Sequence, residues 1–283
     1  MTEAVIVSTA RTPIGKAYRG ALNNTEGPTM AGHVIGEAVR RAKVEPGEVE
    51  DVVMGCAMQQ GTTAMNVARK GGLPVTVAGT TIDRQCASGL QAIAVAARSV
   101  MLDGVKIVVA GGIESISLVQ NEHMNQFHAV DDGLMAIKPA MYISMLETAE
   151  VVAERYKISR ERQDKYSLEC QRRTASALQG RRFSDELVPI ATKMAVIDKE
   201  TKQVSLRDVT LAQDEGPRPD TTAEGLAKIK PVFEGKTITA GNASQLSDGA
   251  SACVVMSDAL AAQKGTQAAG HLPWFRHRRR RAR

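Results

Sequence analysis

The stretch 83–92, DRQCASGLQA, sets a cysteine, Cys86, directly ahead of three small residues and a long apolar run, LQAIAVAARSVMLDG at 90–104. A helix starting there has its N-terminus beside the thiol. The first N–H groups of a helix lack intrahelical partners and carry about half a positive charge. That setting favours the thiolate, the nucleophilic form of cysteine. Ala87, Ser88 and Gly89 keep the first turn small and open to a substrate carbonyl, and the Cys86 amide is placed to help hold an oxyanion. On this context alone, a nucleophile and a buried structural cysteine stand at about even odds.

The helix itself is unusual. Leu90, Ile93, Ala94, Ala97, Val100 and Met101 share one face, and Ala92, Val95, Ala96 and Ser99 the other. A helix apolar nearly all round is expected to be covered on both sides, like the middle layer of a sandwich.

Strand and helix patterns alternate around it. Short apolar runs at 4–8 (AVIVS), 50–56, 74–83 and 106–112 read as strands. A 3.6-residue period over 29–43 (TMAGHVIGEAVRRAK) and a short stretch at 65–71 read as helices. The order predicts an α/β fold with a mostly parallel sheet. From 117 to 235 the character changes to polar loop, two helices (144–156 and 159–179, the second with Ser159 as N-cap) and a hairpin at 188–209. This segment is expected to be an inserted subdomain, with 1–116 and 236–265 forming one domain around it. Strand 252–256 and helix 258–264 return to the first pattern. Residues 266–283, TQAAGHLPWFRHRRRRAR, lack any apolar period and read as an unrelated basic tail.

Composition narrows the class. The 283 residues are 43% hydrophobic but only 3% aromatic, so aliphatic residues and methionine must fill the core. The net charge of +5 is owed to five arginines in the final HRRRRAR; the rest is near neutral, which argues against a nucleic-acid-binding surface. Cys56, Cys86, Cys170 and Cys253 form no CxxC pair and have no clustered histidine, so neither a metal site nor a disulfide framework is indicated. With no signal-peptide pattern and no apolar run of membrane-spanning length, a cytoplasmic protein is expected.

Five separated motifs then point to a family: RTPIGK at 11–16, DRQCASGLQA, GGIES at 111–115, TAE at 148–150 and AGNASQLSDGA at 240–250. In order and spacing, from about residue 3 to 265, they resemble the thiolases, with RQCASGLQA closer to the degradative 3-ketoacyl-CoA type. The resemblance implies a thiolase-like α/β fold and a coenzyme A acyltransferase needing no cofactor beyond coenzyme A as substrate. It implies that Cys86 attacks the ketone carbon of a 3-ketoacyl-CoA, releases acetyl-CoA and holds the acyl group as a thioester for a second CoA. It places CoA on the inserted subdomain: Arg218 at the nucleotide end, Phe233 and Ser244 along the pantetheine, Met145 in the pocket wall. Ser144 stands where many thiolases have histidine. It also implies a homodimer or tetramer. Without the resemblance, Arg218 reads as a solvated loop charge, Phe233 as core and Ser244 as a turn residue. His33 reads as structural; His123 and His128 are loop residues of no assigned role. The family's GHP histidine, CxG cysteine and NEAF asparagine have no match in these residues, His271 in AAGHLP included. The chain is therefore expected to correspond to the N-terminal half of the fold, with the C-terminal half missing and turnover lost; the alternative expectation is a non-catalytic acyl-CoA-binding protein.

Overall fold

The computed structural model describes residues 2–58 and 63–271. In chain order its elements are β1 (Ala4–Arg11), β2 (Gly15–Lys16), α1 (Gly27–Ala42), β3 (Asp51–Gly55), α2 (Ala64–Lys70), β4 (Ala78–Ile82), α3 (Ser88–Arg98), β5 (Ile107–Ser115), α4 (Ile116–Val119), α5 (Asp132–Ile137), α6 (Met145–Arg155), α7 (Arg160–Gln179), β6 (Ile190–Ile197), β7 (Val204–Leu211), α8 (Ala223–Ala227), β8 (Ser247–Ser257), α9 (Asp258–Gln263) and β9 (Gly270–His271).

Period-two alternation sorts the core of the sheet onto two faces. Val52, Met54, Ile107, Val109, Val254 and Met256 point to one side, where Met30, Val34 and Ile35 of α1 and Val67 of α2 cover them. Val53, Val108, Ala110, Cys253 and Val255 point to the other, against Ala92, Ala96 and Ala97 of α3 and the following Val100. The alanine stripe on α3 lets that helix lie close on the sheet. Ile93 and Val95 pack at the edge of that cluster, whereas Leu90 is 72% exposed. Among the described residues, then, the doubly apolar helix is covered on one side.

The strand order is β4-β3-β5-β8-β1-β9. Contrary to the expectation of a mostly parallel sheet, it is mixed: β3 runs parallel to β4 and β5, while β8 is antiparallel to both β5 and β1. A strand buried on both faces has the same apolar run in either direction. Its direction follows from where it starts: Asp248 pairs with Ser115, the last residue of β5, so β8 begins where β5 ends.

The described residues divide into two units, one comprising 2–58, 63–121, 186–215 and 247–271, the other 122–185 and 216–246. This differs from a single insertion at 117–235, at both ends and in its middle. The hairpin β6–β7 belongs with the sheet unit because the Arg11 amide donates to Glu186 O (2.8 Å), the Val188 amide donates to Arg11 O (2.9 Å), and the Arg11 guanidinium bonds Glu186 and Asp214. Residues 236–246 belong with the helical unit. Buried Glu150 of α6 accepts the amides of Thr237 (2.9 Å) and Ile238 (2.6 Å), and Asn242 donates to Asp164 of α7 (3.0 Å). The expected tail is also shortened. Ala269 donates its amide to Ile6 O (2.7 Å), and Gly270–His271 adds a short antiparallel strand to β1. Residues 272–283, which hold the arginine run, lie outside the described residues. Among the described residues, no helix is long and apolar enough to cross a membrane.

Candidate active site around Cys86

The parallel strands β4 and β5 are joined by α3, which brings the N-terminus of that helix to the C-terminal ends of β3, β4 and β5. Ends of this kind are where open α/β sheets place ligands. Cys86 sits there, exposed and outside any disulfide, two residues before the first helical residue, Ser88.

The turn that presents it is locked from within. Gln85 takes a left-handed φ of 49°, uncommon for a residue with a side chain. Its amide is held by Asp83 Oδ1 at 2.8 Å. Buried Ser88 closes the loop: its hydroxyl donates to Gln85 O and accepts the Arg84 amide at 2.9 Å. The first turn is therefore small but not bare. The Ala87 and Ser88 amides donate to Arg84 O (3.1 Å) and Gln85 O (3.0 Å). Cys86 is pushed outward while its neighbours satisfy one another.

β3 supports this turn from behind. A Cβ built on Gly55 would stand 2.3 Å from the carbonyl carbon of Ser88, so only glycine permits this approach. The Cys56 amide donates to Ile82 O at 3.0 Å, tying the end of β3 to the residue before Asp83. The Cys56 thiol is buried and donates to Met58 O (3.3 Å); burial and the nearby Glu114 and Asp83 carboxylates push it up to about 12. Cys253, buried in β8, is likewise raised to about 12 by burial. Cys170 is exposed on α7.

The other residues named from the resemblance lie in the helical unit. Met145 is the first residue of α6 and 75% exposed; Ser144 before it is the N-cap, its hydroxyl accepting the Glu147 amide while Glu147 accepts that of Ser144. Where many thiolases have histidine, Ser144 thus supplies a capping box. Arg218 is exposed and anchored through its backbone: its amide donates to Gln171 Oε1 (2.8 Å) and its carbonyl accepts the Thr221 hydroxyl (2.8 Å). Its guanidinium is left to solvent. Phe233 is half-buried. Ser244 is exposed and follows a turn in which Thr239 Oγ1 accepts the Gly241 and Asn242 amides. The roles of Asp83, Ser88 and Glu114 carried no signal in composition or periodicity; Asp83 and Ser88 stood inside the DRQCASGLQA motif, where Ser88 read only as a small residue, and Glu114 inside GGIES.

The fold and the thiol define an α/β protein that presents a cysteine on a locked turn at the C-terminal edge of its sheet. Residues 4–259 match the family described as "Thiolase, N-terminal domain". The chain is 40% identical over 261 residues to the 3-ketoacyl-CoA thiolase of Bacillus subtilis (strain 168), covering 90% of this chain and 66% of that protein. It is 37% identical to the peroxisomal 3-ketoacyl-CoA thiolase B of Mus musculus (96% and 63%), and 36% identical to the acetyl-CoA acetyltransferase of Escherichia coli (strain K12) (94% and 68%). Among solved structures, the Bacillus anthracis acetyl-CoA acetyltransferase superposes with a TM-score of 0.79 at 38% identity, covering 95% of this chain and 68% of that one. The chain belongs to the thiolase family. It spans about two thirds or less of the length of several of these relatives.

Proposed function

We propose that this chain carries the nucleophilic half of a thiolase-type acyl transfer between acyl-CoA and CoA, with Cys86 forming the acyl thioester. The observation that supports it most is the exposed thiol on a hydrogen-bonded turn at the N-terminus of α3. In this reading the Cys86 sulfur bonds to the C3 carbonyl carbon of a 3-ketoacyl-CoA. The C2–C3 bond then breaks, its electron pair goes to C2 of the departing acetyl-CoA, and a proton must be delivered there. The acyl group stays on sulfur until a second CoA thiolate takes it. The resemblance assigns the base and the proton donor to GHP and CxG motifs that these residues do not contain. Cys86 is therefore assigned the role of nucleophile and acyl carrier; removal of its proton and delivery of one to C2 are assigned to none of these residues. A cytoplasmic site, and assembly as a dimer or tetramer, belong to the same proposal.

Alkylation kinetics test the assignment. In a limited iodoacetamide pulse near neutral pH, Cys86 is expected to label first, ahead of exposed Cys170, with buried Cys56 and Cys253 spared. Peptide mapping reads all four. Cys170 labelling ahead of Cys86 would remove the nucleophile from this reading.

Arg218, Phe233, Ser244 and Met145 are proposed to receive CoA. The outward guanidinium of Arg218 suits a phosphate, and a charge-assisted bond of this kind is worth about tenfold in affinity. Arg218→Ala is expected to weaken CoA binding by that factor in calorimetry. If a folded chain binds CoA without any loss on substitution, Arg218 is a solvated surface charge. A chain that binds CoA while Cys86 stays unacylated by acetyl-CoA would favour the non-catalytic acyl-CoA-binding alternative.

A further inference from the structure

Glu114 lies at the end of β5, two residues past Gly112. Alternation puts Ala110, Gly112 and Glu114 on the face of the sheet that α3 covers, and Ala110 packs in that core. A Cβ on Gly112 would stand 3.5 Å from the Cα of Gly89 in the first turn of α3. The Glu114 carboxyl therefore stands on the same face, at the strand ends where Cys86 is presented.

Its bonds are one-sided. Oε2 accepts the Ala57 amide at 3.1 Å, and the carboxyl also accepts that of Met58, gripping the chain as it leaves β3. Oε1 is buried and has no hydrogen-bond partner among the described residues. Burial raises the carboxyl above its ordinary range; the two amides work against this, and the charge of Asp83 adds to it. A half-satisfied acid is a costly occupant for a position that only needs filling. What it holds is informative. The residues after Gly55 are fastened to Glu114, the Cys56 amide is fastened to Ile82, and the Cys86 turn follows at once.

We propose that Glu114 is a positioning residue for Cys86: through the Ala57 and Met58 amides it fixes the end of β3 against which the Cys86 turn and the first turn of α3 are seated. This rests on Cys86 being the acylated thiol. Glu114 touches no reacting atom; it acts through the backbone of 55–58.

The test uses the full chain and the same alkylation pulse. Cys170, exposed in the other unit, reports reagent strength, and Cys253, buried in β8, reports unfolding. In Glu114→Ala, Cys86 labelling relative to Cys170 is expected to fall about fivefold with Cys253 still protected, because a thiol loosened from its setting loses its advantage. Glu114→Gln keeps an acceptor oxygen at the same reach and is expected to return the ratio to within about twofold of the parent. An unchanged ratio in Glu114→Ala with Cys253 protected overturns the proposal, and so does a Gln variant as slow as the Ala variant. Should Glu114→Ala expose Cys253, Glu114→Asp decides: the shorter side chain withdraws the carboxyl, so the ratio must still fall. If Cys86 is not the fastest cysteine in the parent chain, the nucleophile reading itself fails, and this one with it.

Discussion

Gly55→Ala is expected to destabilise the protein by about 3 kcal/mol and to remove the preference of alkylating reagents for Cys86. The added methyl would fall 2.3 Å from Ser88 C, 2.5 Å from Ser88 O and 2.5 Å from Gly89 N. All three are backbone atoms, so no side chain can rotate out of the way. β3 cannot give ground either, because it is paired on both sides and its neighbours Met54 and Cys56 are buried. The first turn of α3 must move instead. That breaks the fit of Ala92 and Ala96 to the sheet and carries the Cys86 turn with it. Gly47→Ala is the matched control: a Cβ there meets nothing within 4 Å, and stability should be unchanged. Denaturant midpoints and cysteine mapping on both variants check the pair. If Gly55→Ala unfolds at the parent's midpoint with Cys86 still preferred, α3 is not seated on β3 as described.

That constraint also marks the limit of what can be read from the residues. The short apolar runs at 50–56 and 106–112 and the 3.6-residue period at 29–43 are local signals, and each element appeared where its pattern put it. The direction of β8 is not local. Ala252–Met256 is apolar in every residue, so its pattern is silent on whether the strand runs with β5 or against it. The hairpin β6–β7 was legible as a hairpin, but not as part of the sheet unit, because its anchor is Arg11, 175 residues from Glu186. That Cys86 stands just ahead of a helix was legible from the small residues and the apolar run after it; that its thiol is exposed was not. The left-handed Gln85, the inward hydroxyl of Ser88 and the grip of Glu114 were not, since each depends on a partner that only the fold supplies.

Arg11→Ala is expected to cost about 3 kcal/mol at neutral pH, with the loss concentrated in the attachment of β6–β7. Arg11 reaches Asp214 with two bonds (2.7 and 3.1 Å) and Glu186 with one (2.6 Å). Its side chain and that of Asp214 are 18% and 14% exposed, so the Asp214 pair is poorly screened; the Glu186 carboxylate, 41% exposed, contributes less. Removing the guanidinium strands a half-buried carboxylate whose remaining support is the Ile14 amide at 2.8 Å. The pH dependence separates this from simple loss of packing. Burial pushes the Asp214 carboxyl up, but the bonds from Arg11 and Ile14 and the charge of Arg11 hold it below its ordinary value. Stability from such a group is present above the unfolded carboxyl value, about 3.9, and is lost as pH falls through the lower folded value. In Arg11→Ala only burial and one amide act, so the depression is gone and there is little left to lose on acidification. The stability gap between parent and variant should therefore be widest at neutral pH and narrow as pH falls below the carboxylate range. Urea unfolding at a series of pH values measures it. A gap that stays constant through that range would mean that Arg11 holds the hairpin by its aliphatic stem rather than by its charge.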